Sequence, residues 1–290
     1  FLLKLSPAKE DKTVSGNAPE KVMPLECNST LCKNPDDKNY IKLQDTVDYS
    51  LDEPNSILLD MCEYSFDGEE YLPLEDSSRI ADIGRERFYF EHKNQTTIQP
   101  WVPVPDELKN DQGHTVKRKF TFFSDIALEN TDLALEEADK ATVWVNGEKL
   151  NKEFNGWYVD KCIRKVKLPM LNPGKIEIEI EIPFFLRSRT EWCYVLGDFG
   201  VNVTGKFATA VNKAQKLAFG NAVNQTLPFY TGNITYHTGY TETKKTKRTL
   251  QISDFGGALA RVAVDGKDIG VVAISPYCID LGEMEKGWHH

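Results

Sequence analysis

Between Lys175 and Ile182 the chain reads Lys-Ile-Glu-Ile-Glu-Ile-Glu-Ile, launched by the turn signal Asn172-Pro173-Gly174. Side chains leave a strand to alternate faces, so one face of this stretch is hydrocarbon and the other is carboxylate. Such a strand covers a core on one side and meets water on the other, as strands of antiparallel sheets do. Upstream, Ala141-Thr142-Val143-Trp144-Val145 alternates in the same way and runs directly into Asn146-Gly147. That pair tolerates the positive φ angles of a two-residue hairpin, and Glu148-Lys149-Leu150 returns. Trp144 falls on the face opposite Val143 and Val145, where it is expected to pack against loops.

The pattern recurs. Ala260-Arg261-Val262-Ala263-Val264 meets Asp265-Gly266 and returns through Lys267-Asp268-Ile269. Gly156-Trp157-Tyr158-Val159-Asp160 follows the first copy and Ser275-Pro276-Tyr277-Cys278-Ile279-Asp280 the second, each placing an aromatic residue shortly before an aspartate. A repeat on this scale predicts two related modules in tandem. The second copy has no counterpart of the Ile/Glu strand before Gly287-Trp288-His289-His290. Its closing strand therefore comes from elsewhere, or the chain is a piece of something longer; the start at Phe1 rather than methionine favours the piece.

At 290 residues there is room for two cores, and 40% hydrophobic content is that of an ordinary globular protein. A net charge of −9 argues against nucleic acid as a partner. Lys244-Lys245-Thr246-Lys247-Arg248 is a local cluster, read as a solvated hairpin tip. No apolar run approaches the roughly 20 residues needed to span a bilayer, so no membrane partner is expected and no targeting segment is visible. Six cysteines are too sparse for a disulfide scaffold. Cys62, Cys162, Cys193 and Cys278 are expected as buried free thiols, whereas Cys27 and Cys32 flank a polar loop and are left open between paired and free.

Residues 1–52 read as an irregular connector with one or two short strands. A first β-sandwich is expected over 53–205 and a second over 206–290, the latter cut short at its C-terminal end. Ile57 to Tyr64 reads as one strand turned by Asp67-Gly68, Ser78 to Ile83 as a short helix, and Trp101, set between prolines, as part of an exposed loop. Val116 to Phe123 alternates as a strand. The fold class is all-β, with over a third of residues in antiparallel strands and very little helix.

Together, the Asn-Gly hairpin, Gly-Trp-Tyr-Val-Asp, the Pro-Gly turn into an alternating strand, and Glu191-Trp192-Cys193-Tyr194-Val195-Leu196-Gly197-Asp198-Phe199-Gly200-Val201 resemble the non-catalytic jelly-roll modules of large bacterial glycoside hydrolases. The family-two sugar-binding domain and the modules attached to the α-L-rhamnosidase-like enzymes of family 106 are the nearest such modules. Leu227-Pro228-Phe229-Tyr230-Thr231-Gly232-Asn233 and the Asp-Gly hairpin are similar to a following galactose-binding-like module. The resemblance runs from about Glu53 onward. It implies tandem jelly-roll modules, with the catalytic carboxylates on a separate barrel of the same polypeptide.

Glycosidase chemistry needs two carboxylates facing each other across a cleft. Glu191 and Asp198 share an aromatic-rich segment, but their spacing marks no such pair, and turn or hydrogen-bonding roles are expected of them. No catalytic residue is assigned. The histidines lack metal-ligand spacing and no cofactor is expected, although a calcium ion held by loop oxygens is compatible with a jelly roll. Sugar rings stack on indole and phenol faces while carboxylates take their hydroxyls. Trp157, Tyr158, Asp160, Trp192 and Tyr230 are accordingly the candidate carbohydrate-binding residues, set against the plainer expectation that large rings fill the core. The reading is an ancillary carbohydrate-binding or structural region of a bacterial glycoside hydrolase, non-catalytic by itself, whose partners are carbohydrate and the catalytic domain of the same polypeptide. A stand-alone lectin-like protein and a structural or adhesion spacer are the alternatives.

Overall fold

In the computed structural model, which describes residues 3–6, 41–88, 113–252 and 256–290, the alternating stretch is strand β13 (Gly174–Phe184). It pairs along its whole length with β7 (His114–Ser124), antiparallel. Ile176, Ile178, Ile180 and Ile182 are buried, opposite Phe122, Phe120, Arg118 and Val116. The other face sets Glu179 against Lys119 and Glu181 against Lys117. Lys117 reaches both glutamates, at 3.4 and 3.9 Å, and Lys119 reaches Glu63 at 2.6 Å. Opposite charges directly across a strand pair add a little stability each.

This pair is the middle of an eight-stranded sheet. Its path runs β10 (Glu148–Lys149), β9 (Thr142–Val145), β13, β7, β16 (Phe207–Val211) and β15 (Gly200–Thr204). β5 (Met61–Phe66) also lies on β7 and carries β6 (Leu72–Asp76). β16 joins β7 in parallel over Phe123 and Ser124. A second sheet of five strands is ordered β11 (Phe154–Tyr158), β12 (Asp160–Lys167), β8 (Asp132–Leu135), β14 (Cys193–Gly197) and β4 (Asn55–Leu59). Both sheets feed one core. Ile57, Leu59, Leu133, Leu135, Val166 and Val195 enter it from the smaller sheet and Phe66, Phe120, Phe122 and Val143 from the larger. This is an antiparallel sandwich, and the described residues are mostly strand, 53%, with 7% helix.

One α-helix is present among the described residues, α1 (Ser77–Arg87), longer than the sequence suggested. Asp76 caps it by accepting from the Ser78 amide at 2.8 Å. Ile80, Ala81 and Gly84 share its buried face, and a Cβ on Gly84 would sit 2.6 Å from the Phe184 ring.

The chain divides into two compact units: Leu51–Ala214 with Ala222–Asn233, and Phe1–Ser50 with Gln215–Asn221 and Ile234–His290. The sandwich is the first. In the second, β1 (Leu3–Ser6) lies between β2 (Ile41–Lys42) and β20 (Thr246–Ile252), and β20 pairs with β23 (Cys278–Met284). β3 (Thr46–Leu51) is flanked by β17 (Leu217–Ala218) and β18 (Ile234–His237). β19 (Tyr240–Glu242) pairs with β24 (Gly287–His289), and β21 (Ala260–Val264) with β22 (Lys267–Val272). Leu43, Tyr240, Val264 and Leu281 form its small buried core.

The expected boundaries differ from these units in three places, the first being that residues 206–214, with β16, belong to the sandwich and not to the second unit. Stretch 1–52 supplies β1, β2 and β3 to the second unit, where β1 fills the place beside β20. Residues 222–233 pack with the sandwich, because Thr226 accepts from the Val201 amide and Phe229 from the Ser56 hydroxyl. Ile57 to Tyr64 is two strands, one in each sheet. The chain crosses between the sheets at Asp60, where both Leu59 and Cys62 enter the same core. Cys62 and Cys193 are buried and free, but Cys162 is exposed and Cys278 only partly covered. Cys27, Cys32 and the loop around Trp101 lie outside the described residues.

Asn146 and Gly147 have φ of 49° and 83°, and Asp265 and Gly266 have φ of 51° and 77°. Both pairs therefore make the predicted hairpin turn with two positive φ angles. Asp67 and Gly68, at 52° and 75°, make it too. The repeat ends at the hairpin: β9 continues into an eight-stranded sheet, whereas among the described residues β21 and β22 form a two-stranded sheet. Valine at Gly147 or Gly68 is expected to destabilise the sandwich by about 1–3 kcal/mol, because a β-branched residue is strained at positive φ. Gly266→Val should lower the other unit's melting transition instead. Calorimetry of the three variants checks this, and an unmoved sandwich transition in Gly147→Val would contradict the turn.

Candidate functional site

The five-stranded sheet turns one face to the core and the other outward. On the outer face Tyr158, Ala134 and Leu196 form a small cluster of their own, with Ile163 and Tyr194 packed against it. The alternation of β8 and β14 produces it: Leu133 and Val195 point inward, so Ala134, Tyr194 and Leu196 point outward. The rings of Tyr158 and Tyr194 are 5.3 Å apart and tilted by 58°, within the range of a favourable aromatic pair.

Tyr158 reaches this face because the β11–β12 connection is tight. Tyr158 pairs directly with Asp160, leaving Val159 alone at the tip with φ of 60°. A β-branched residue in that region is strained by about 1–3 kcal/mol. Beside the tip, Trp157 is 53% exposed while Tyr158 is only 8% exposed. Trp157 lies opposite Arg164, which stacks over the exposed ring of Phe154 at 3.8 Å and bonds Asp139.

Carboxylates rim the face. Asp160 accepts from the amide of Cys162 at 2.9 Å. That bond, with a second from the thiol, holds Asp160 below the usual carboxylate range. In return the Asp160 hydrogen bond, then burial, pushes the Cys162 thiol up to about 11, so it is a protonated group and no nucleophile at neutral pH. Cys162 also lies 3.7 Å from Glu136. Burial lifts the Glu136 carboxyl above its ordinary range, and the like charge of Glu191 adds to that. A carboxyl with a raised pKa is a readier hydrogen-bond donor than its neighbours.

The polar groups of the other two candidates are engaged elsewhere. Trp192, 42% exposed, donates its indole N–H to Asp76 at the start of α1, at 3.1 Å. Tyr230 sits beyond the opposite end of β14, where its hydroxyl donates to the Asn233 carbonyl at 2.7 Å and accepts from the Glu53 amide at 3.4 Å. Both polar groups serve local structure. Glu191 and Asp198 stand before and after the five residues of β14. At about 3.3 Å per residue that places them on the order of 20 Å apart, far beyond the ~5–9.5 Å of a glycosidase pair. Asp198 is bound by Lys213 at 2.6 Å. Among the described residues no group of three or more His, Cys, Asp or Glu is arranged to hold a metal ion.

Tyr194 and Glu136 escaped the sequence reading, and only the two-residue period of β14 and β8 could have placed them on the face of Tyr158. Arg118 escaped it too. It is 3% exposed, on the core side of β7, and its Nη1 donates to Ser77 Oγ and to the Glu191 carbonyl, both at 2.8 Å. It thereby fixes, through the core, the loop that carries Glu191 and Trp192. No family, curated protein or solved structure matches the chain.

Proposed function

We propose that this chain is a carbohydrate-binding β-sandwich region, non-catalytic by itself, of the jelly-roll kind attached to large bacterial glycoside hydrolases. Its binding surface is the β11–β12 tip with the outer face of the five-stranded sheet. One observation carries the reading: a half-exposed indole, Trp157, held beside a backbone strained at Val159. Strain of this kind survives where the surroundings enforce it, and binding sites are where it gathers. Trp157 offers its ring to a sugar, and Glu136 and Asp160 stand ready for the hydroxyls. The internally bonded Trp192 and Tyr230 favour a second reading, a structural spacer in which all these aromatics only support the fold.

Screening of the full chain against a panel of plant and bacterial polysaccharides separates the two. The first reading expects retention on at least one glycan, weakened about tenfold (~1.4 kcal/mol) by Trp157→Ala. Val159→Gly is expected to stabilise the sandwich by about 1 kcal/mol while loosening the glycan, because glycine adopts the tip conformation freely. Retention on no glycan at all would favour the spacer.

A further inference from the structure

His289, on β24, is 8% exposed, and both of its ring nitrogens meet acceptors. Nδ1 is 2.7 Å from Oδ2 of Asp265, and Nε2 is 2.8 Å from the carbonyl oxygen of Glu285. A neutral imidazole has one N–H and one lone pair, so it serves only one of the two and sets lone pair against lone pair at the other. Only the imidazolium donates to both. We propose that His289 is a proton-operated latch, fastening β24 to the turn between β21 and β22 while charged and loosening it when neutral.

The rest of the turn supports the fastening. Asp265 accepts from the His290 amide at 2.9 Å through its other carboxylate oxygen, and its own amide donates to the His290 carbonyl at 2.8 Å. One residue of the hairpin turn thus grips the strand by side chain and backbone. The groups facing His289 come from each neighbouring element. From β19, the Tyr240 ring lies 5.5 Å away, and the buried carboxylate of Glu242 is held by Arg248 of β20. The Glu285 side chain carries Lys245 at 2.7 Å. The His290 ring is stacked on His237 at 5.9 Å.

The Glu285 carbonyl and then Asp265 raise the His289 pKa above the ordinary imidazole value, with burial opposing. The folded state therefore binds this proton more tightly than the unfolded chain does. The stability the latch adds is complete below about pH 6.5 and is lost as the pH rises through the elevated value.

NMR of the labelled full chain tests this by following the His289 ring nitrogens between about pH 5 and pH 9. Amide exchange at Gly287–His289, corrected for its intrinsic pH dependence, is read alongside. Both nitrogens should be protonated at pH 6.5, with exchange accelerating about tenfold as the ring loses its proton. Asp265→Asn should move the titration down by about one pH unit. A ring already neutral at pH 6.5, or exchange that ignores its titration, would overturn the latch. If Asp265→Asn does not fold, the wild-type titration decides.

Discussion

Arg118→Ala is expected to lower the stability of the sandwich by about 3 kcal/mol in urea unfolding. The guanidinium points into the core between two sheets, and its Nε is unpaired there. Its Nη1 nonetheless ties together three pieces of chain: β7, the start of α1 at Ser77, and the loop at Glu191. Hydrogen bonds to a charged group contribute about 1.5–3 kcal/mol each, and truncation adds a cavity. Removing the charge also relieves its desolvation, which offsets part of the loss. Arg118→Met restores most of the volume and should cost about half as much. Alanine losing less than 1 kcal/mol would mean that the loop and the helix start are held by other contacts.

Gly84→Val should be nearly as damaging, by about 2–3 kcal/mol. A Cβ there would lie 2.6 Å from Cζ of Phe184 and 2.7 Å from Cε1 of Phe66. Both rings are buried and packed edge-to-face, with centroids 5.7 Å apart, so neither can retreat without disturbing the other. Valine's stiffness in a helix adds a few tenths. Thermal melting of the sandwich measures it, and Gly84→Ala, adding one carbon with better helix propensity, should fall between valine and wild type. An unchanged transition in Gly84→Val would show that α1 shifts outward at little cost.

How much of this was legible depends on the range of the forces involved. The Ile/Glu strand, its burial on one face and the three Asx-Gly turns follow from local rules, a period of two and the sterics of positive φ, and these rules held in place. The face of Trp144 was legible, though its partner was not: Lys117 stacks over the indole at 4.0 Å, where loop packing was expected. Alternation alone would have turned Arg118 inward, but nothing local says what a buried guanidinium will bond. The pairing of Leu3–Ser6 with β20 joins residues about 245 apart in sequence, and a four-residue strand has no periodicity strong enough to announce it. Tyr194 joined Tyr158 for the same reason: their contact exists only once β12 and β8 lie between their strands. The strained tip at Val159 is invisible to propensity, since valine argues for extended structure there.

Carbohydrate binding by this chain requires a sugar to sit on the outer face of the five-stranded sheet. Amide chemical-shift mapping of the full chain, titrated with oligosaccharides cut from whichever glycan retains it, reads this residue by residue. Saturable shifts are expected, confined to Trp157–Cys162, Glu136 and Tyr194 and abolished by Trp157→Ala with the rest of the spectrum intact. Saturable shifts centred on Tyr230 or elsewhere, or the same shifts surviving Trp157→Ala, would contradict it.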